Sequence, residues 1–188
     1  MKPFRSFIPS LAVMLMAASG GSGAQGVLID RSEIRFVSKQ MGGSVEGKFR
    51  KWKANVDFRP KDPGKSRAEF EIELASIDLA SEETESEIRR SLWFDTAKYP
   101  VARFASSAVK DLGGDRYEIA GSLSIKGTTK DVVIPVVLKK DAAGNSVAQG
   151  QFTLNRLDYK LGEGLWADTA TVANEVAIRV RMVLPPVL

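Results

Sequence analysis

The sequence predicts an all-β fold: an eight-stranded antiparallel barrel with one short helix between strands three and four. Three observations carry that expectation. Past residue 24, apolar side chains recur with period two rather than 3.6, as in a strand with one dry and one wet face. The runs are long and nearly evenly spaced, and turn-forming clusters such as "DLGGD" (111–115) and "DAAGN" (141–145) separate them. Half-apolar strands in series would leave exposed edges in an open sheet, whereas closing them on themselves buries the dry faces together. A two-sheet sandwich is the competing arrangement.

Residues 1–24 read as an export signal and stand outside the fold. Lys2 and Arg5 supply the positive start, the apolar run 8–18 is too short to span a bilayer, and Ser22-Gly23-Ala24 gives a small-x-small cleavage pattern. Cleavage after Ala24 leaves one domain, 25–188, in the periplasm or secreted, and no cysteine is present for lipid attachment. An uncleaved anchor helix is the alternative.

Eight strands are expected at 27–38, 44–58, 66–76, 101–110, 116–126, 131–140, 147–157 and 174–184. In "RAEFEIEL" Ala68, Phe70, Ile72 and Leu74 alternate with charged residues, and "YEIAGSLSIKG" repeats the pattern. Pro135 cannot donate a ladder bond and marks an edge or bulge. The segment "LASEETESEIRRSLW" (79–93) is the helix: Ser81 caps it, Glu82, Glu83 and Glu85 sit at its positive end, and Arg89 and Arg90 at its negative end.

Composition removes most chemistry. With no histidine and no cysteine, neither a Ser-His-Asp or Cys-His nucleophile nor an imidazole or thiolate metal site can be built. Without Lys2 and Arg5 the chain carries 25 basic and 23 acidic residues, a balance that does not point to nucleic acid. Carboxylate catalysis through Asp95, Asp158, Glu163 or Asp168 is a competing function, and a small outer-membrane barrel is another. Against the latter stand 8% aromatics, a "PPVL" end and a helix between strands.

In an up-and-down barrel, the connections after strands three and seven lie at the same end. Both are long, and both carry aromatics: Trp93 and Phe94 in "SLWFDTAKYPVARF", and Trp166 beside Leu165 in "GEGLWADT". They line the rim of an apolar cavity, or else plug a solid barrel. Strand phase nominates Phe36, Phe49, Trp52, Phe70, Ile72 and Phe104 as cavity residues. It adds Tyr117, Ile119, Leu123, Phe152, Leu154 and Ile178. Gly47, Gly121 and Gly150 fall in phase with the apolar face, as either room inside or bends. Arg156 and Asp158 share the parity of Phe152 and Leu154, either as a structural ion pair or with Arg156 as a contact for a ligand's head group.

Four segments in order resemble the YceI-like periplasmic proteins. They are "SEIRFVSKQMGGSVEGKFRKWKANVDF", "WFDTAKYPVARF", "YEIAGSLSIKGTTKDVVIPV" and "FTLNRLDYKLG". The resemblance implies a lipocalin-like barrel whose apolar cavity holds an isoprenoid lipid, a quinone or polyprenyl chain, for carriage, storage or stress protection. It implies a non-enzymatic protein with no covalent cofactor and no metal. The expected partner is the apolar lipid and not nucleic acid, with transient membrane contact and a homodimer both compatible. One departure is visible: the family often carries a histidine before the glycines of its first motif, where "SKQMGG" has Gln40 and Met41.

Overall fold

In the computed structural model, which describes residues 26–186, ten antiparallel strands form one curled sheet. They are β1 (Glu33–Gln40), β2 (Gly43–Phe49), β3 (Trp52–Asp57), β4 (Arg67–Glu73) and β5 (Ile77–Asp78). The longer second half comprises β6 (Val101–Gly113), β7 (Arg116–Ile125), β8 (Thr128–Lys140), β9 (Ser146–Asn155) and β10 (Glu175–Leu184). Their spatial order is β3-β4-β6-β7-β8-β9-β10-β1-β2-β5. The expected export signal and its cleavage site lie outside the described residues.

The count is ten rather than eight because the run expected as one strand at 44–58 bends at Arg50–Lys51, and because β5 forms a separate short pairing. β2 pairs with β1 and, through Lys48 and Phe49, with β5, whereas β3 pairs with β4. The outermost strands of the sheet are thus joined to each other's neighbours by short lengths of chain, and the sheet returns on itself at the bend. Buried Ser76 pins this corner. Its hydroxyl accepts from the Lys51 amide (3.0 Å) and donates to the Glu73 carbonyl (2.6 Å), and its own carbonyl accepts from the Arg50 amide (3.0 Å).

Pro135 marks a boundary, as its chemistry requires. The β8–β9 ladder runs from Lys140↔Ser146 to Val136↔Gly150 and stops there, although β8 stays paired with β7 along Thr128–Val137.

Helix α1 (Glu82–Ile88) is shorter than the 79–93 expected. The Ser81 side chain caps it by accepting from the Thr84 amide (3.4 Å), with Glu82, Glu83 and Glu85 in the first turn. The helix ends because the Phe94 amide turns back to the Ile88 carbonyl and the Trp93 amide to that of Arg90, both at 3.0 Å. Buried Glu85 ties α1 to the chain before it, accepting from the Leu79 amide (3.0 Å) and from Arg89 (2.8 Å).

The three in-phase glycines are filled rather than roomy, and a Cβ at Gly150 would lie 3.0 Å from Ile134 Cγ2. An added Cβ at Gly47 would overlap the Phe36 ring, and one at Gly121 would lie 2.7 Å from Phe104 Cζ. Gly47 and Gly121 each lie against an aromatic ring of the neighbouring strand.

Candidate functional site: an apolar cavity with a pinned end

The inward faces enclose a cavity of about 300 Å³, within the size range of small-molecule sites. Of the residues nominated by strand phase, Phe36, Phe49, Phe70, Ile72 and Phe104 line it. So do Ile119, Leu123, Phe152, Leu154 and Ile178, and from the connections Trp93, Phe94 and Trp166.

Two nominated residues do not. Trp52 is buried in the core beside Ile72, its cross-strand partner. Tyr117 has the inward phase but sits beyond the cavity, where its ring meets Phe58 edge-on at 5.5 Å between centroids. Phase along a strand tells inside from outside; it does not tell how far along the barrel the open space extends.

Parity could have found several lining residues that were missed. Ile34, Ser38 and Gln40 share the face of Phe36 on β1, and Val176, Val180 and Met182 share that of Ile178 on β10. Thr84, Glu87 and Ile88 come from one face of α1, at helical spacing.

The two long connections do meet at one end. The amides of Gly162 and Glu163 both donate to the Leu92 carbonyl, at 2.8 and 2.9 Å, and the Trp93 and Trp166 rings lie 5.8 Å apart. The β1–β2 hairpin joins them, with the Met41 amide donating to the Thr171 carbonyl (2.9 Å). Lys126, in the β7–β8 turn, adds bonds to the Lys160 carbonyl (2.7 Å) and Glu163 (2.9 Å).

At the centre of this end is Arg156, 1% exposed. It makes no ion pair with Asp158, which is exposed. Instead all five guanidinium N–H groups donate to backbone carbonyls. Nε reaches Ala173 (3.1 Å), Nη1 reaches Leu161 (2.8 Å) and Gly162 (3.0 Å), and Nη2 reaches Trp166 (2.7 Å) and Val172 (2.8 Å). The Trp93 ring covers the guanidinium at 5.5 Å. Burial lowers the Arg156 pKa, yet a guanidinium stays charged at neutral pH. Arg156 lines the cavity but has no N–H left for a ligand's head group. Gly162 is part of the cage: its φ is +76°, and an added Cβ would overlap Nη1.

The carboxylates considered for catalysis lie elsewhere. None of Asp95, Asp158, Glu163 and Asp168 lines the cavity. Glu163 holds Lys126; Asp168 accepts from the Ala170 amide (2.9 Å) and the Thr171 hydroxyl (3.0 Å), which lowers its pKa. Among the described residues, no three acidic side chains cluster so as to hold a metal ion. The outward faces carry charged pairs such as Arg103–Glu71 at 2.9 Å, a surface suited to water rather than to lipid.

A curled antiparallel sheet around an apolar cavity is the architecture of proteins that hold apolar small molecules. The YceI-like domain matches residues 28–184, and the chain belongs to that family. It is 30% identical over 159 residues to a UPF0312 protein of Pseudomonas savastanoi pv. phaseolicola, covering 80% of this chain and 83% of that one. Among solved structures it resembles BcnA of Burkholderia cenocepacia, with TM-score 0.80 and 36% identity over 84% of this chain and 98% of that one. It shares its fold with a polyisoprenoid binding domain from Saccharophagus degradans, with TM-score 0.68 and 17% identity over 87% and 99% of the two chains.

Proposed function

We propose that this protein binds an isoprenoid lipid, a quinone or a polyprenyl chain, non-covalently in the cavity of a closed lipocalin-like barrel, and carries or stores it without chemistry. The observation that carries the reading is the cavity itself: about 300 Å³, with Glu87 and Arg156 as its ionisable lining residues. Affinity comes from removing chain and wall from water, at about 25 cal/mol per Å² of apolar surface. The Saccharophagus neighbour, described as polyisoprenoid binding, supports the choice of ligand. The leader-like residues 1–24 support a periplasmic site of action. Exchange with a bilayer is served by apolar side chains at the cavity's mouth: Leu165 is 94% exposed, Met41 75% and Leu92 41%.

Native mass spectrometry of the protein purified from its own compartment tests the reading. A non-covalent isoprenoid mass is expected. Adding a lipid to about 100 times its Kd should stabilise the fold by about 2.7 kcal/mol. A protein that carries no lipid and shows no thermal shift with any isoprenoid would refute it.

A further inference from the structure

We infer that the polar end of the ligand is read by Ser38, Gln40 and Thr84, and that this site takes an uncharged oxygen, a hydroxyl or a carbonyl, in preference to a phosphate. The inference rests on the cavity holding an isoprenoid chain.

Strand β1 changes character along a single face. Ile34, Phe36, Ser38 and Gln40 alternate with outward residues, all four line the cavity, and polarity begins at Ser38. The change falls near the mouth, since Gln40 bridges to Val172 and Val172 holds Arg156 through its carbonyl. Helix α1 sets Thr84, Glu87 and Ile88 along the same cavity. Among the described residues, the Ser38 and Thr84 hydroxyls and the Gln40 carboxamide take part in no side-chain hydrogen bond, and none is a sealed, unpaired polar atom. The Ser38 hydroxyl and the Gln40 amide thus stand near one end of the cavity and the Thr84 hydroxyl along its lining, each able both to donate and to accept.

Charge decides the class of ligand. Arg156 has spent its five N–H groups on carbonyls. Glu87 brings a negative charge to the lining, and its Arg90 partner (3.1 Å) is largely exposed. The buried Arg89 Nε–H has no partner but does not line the cavity, so among the lining residues a phosphate would meet one carboxylate and no free cationic donor. A buried anion without a cationic partner is disfavoured, whereas a hydroxyl or carbonyl needs a single neutral bond.

Three probes with the same fifteen-carbon tail test this: farnesene, farnesol and farnesyl phosphate, each titrated into the purified protein and followed by tryptophan fluorescence. Farnesol should bind at least roughly fivefold more tightly than farnesene, the worth of about one neutral hydrogen bond, and more tightly than the phosphate. Gln40→Leu, and separately Thr84→Val, should lower the ratio of farnesol to farnesene affinity, a change that a merely structural role for these side chains would not produce. Farnesene binding as tightly as farnesol, or the phosphate binding most tightly, would overturn the inference and leave lipid binding intact. Failure of all three probes to bind would remove the lipid-binding reading and this inference together.

Discussion

Replacing Arg156 with lysine tests whether a carbonyl cage holds the mouth in place. An ammonium has three N–H groups where the guanidinium has five, so at least two of the carbonyls of Leu161, Gly162, Trp166, Val172 and Ala173 lose their donor. A buried polar group left unpaired costs about 1–3 kcal/mol. Water entering from the loop surface would recover part of that, which places the loss at roughly 2–4 kcal/mol. For a chain of this size the melting midpoint should fall by roughly 5–15 °C. Because the same cage fixes Trp166 against Trp93, lipid release should also quicken, by the order of tenfold for each 1.4 kcal/mol of barrier lost. Circular dichroism melts and lipid off-rates are the assays. Gly162→Ala should have a similar effect without changing charge, because its Cβ displaces the guanidinium. A lysine variant that melts within 2 °C of the parent (well inside the roughly 5–15 °C expected) and releases lipid at the parent rate would refute the cage.

Trp93→Ala and Trp166→Ala should each speed lipid release more than they lower the melting midpoint, and the double mutant should be non-additive because the two rings touch; additivity would place the residues in separate roles. Leu123→Asp puts a charge against the cavity wall and should cost about 3–5 kcal/mol, whereas Ser122→Lys, outward and opposite Asp131, should stay within about 0.5 kcal/mol; equal losses in a urea titration would contradict the strand phase. Asp141 is held at a pKa of about 2 by hydrogen bonds from Asn145 and Arg31, so its contribution is complete above its ordinary value near 3.8 and is lost as pH falls through about 2. Asp141→Asn should therefore melt lower at neutral pH and show a smaller drop between pH 4 and pH 2 (an interval that brackets the shift from 3.8 to about 2); an unchanged acid profile would remove Asp141 from the account.

Much of this fold is written locally. The alternation in "RAEFEIEL", the cap at Ser81 and the missing donor at Pro135 each act over a few residues, and each feature appears where the sequence places it. The shared end of the two long connections also follows from strand order alone. What was not legible depends on distant partners. Nothing in "FRKW" announces the bend at Arg50–Lys51, which is held by Ser76, about 25 residues further on. Gly47 and Gly121 looked like room inside, but their space is taken by rings from adjacent strands. Tyr117 has the right parity at the wrong height.

Arg156 shows why parity with Asp158 suggested an ion pair and the fold made something else. An arginine facing inward must satisfy five donors, and a single carboxylate can take at most two of them in a bidentate pair. The connection from residue 157 to 173 forms no ladder of its own beyond a single bridge, so its carbonyls turn inward in search of donors. Each deficit answers the other: the irregular loop supplies the acceptors, and the guanidinium fixes the loop through backbone carbonyls, with Lys126 and Glu163 adding a separate tie. An Arg156–Asp158 pair would have brought another carboxylate to the cavity and left the loop carbonyls unpaired. By using backbone acceptors, the protein can keep one mouth segment rigid while leaving the lining of β1 and α1 to deal with the polar end of whatever enters.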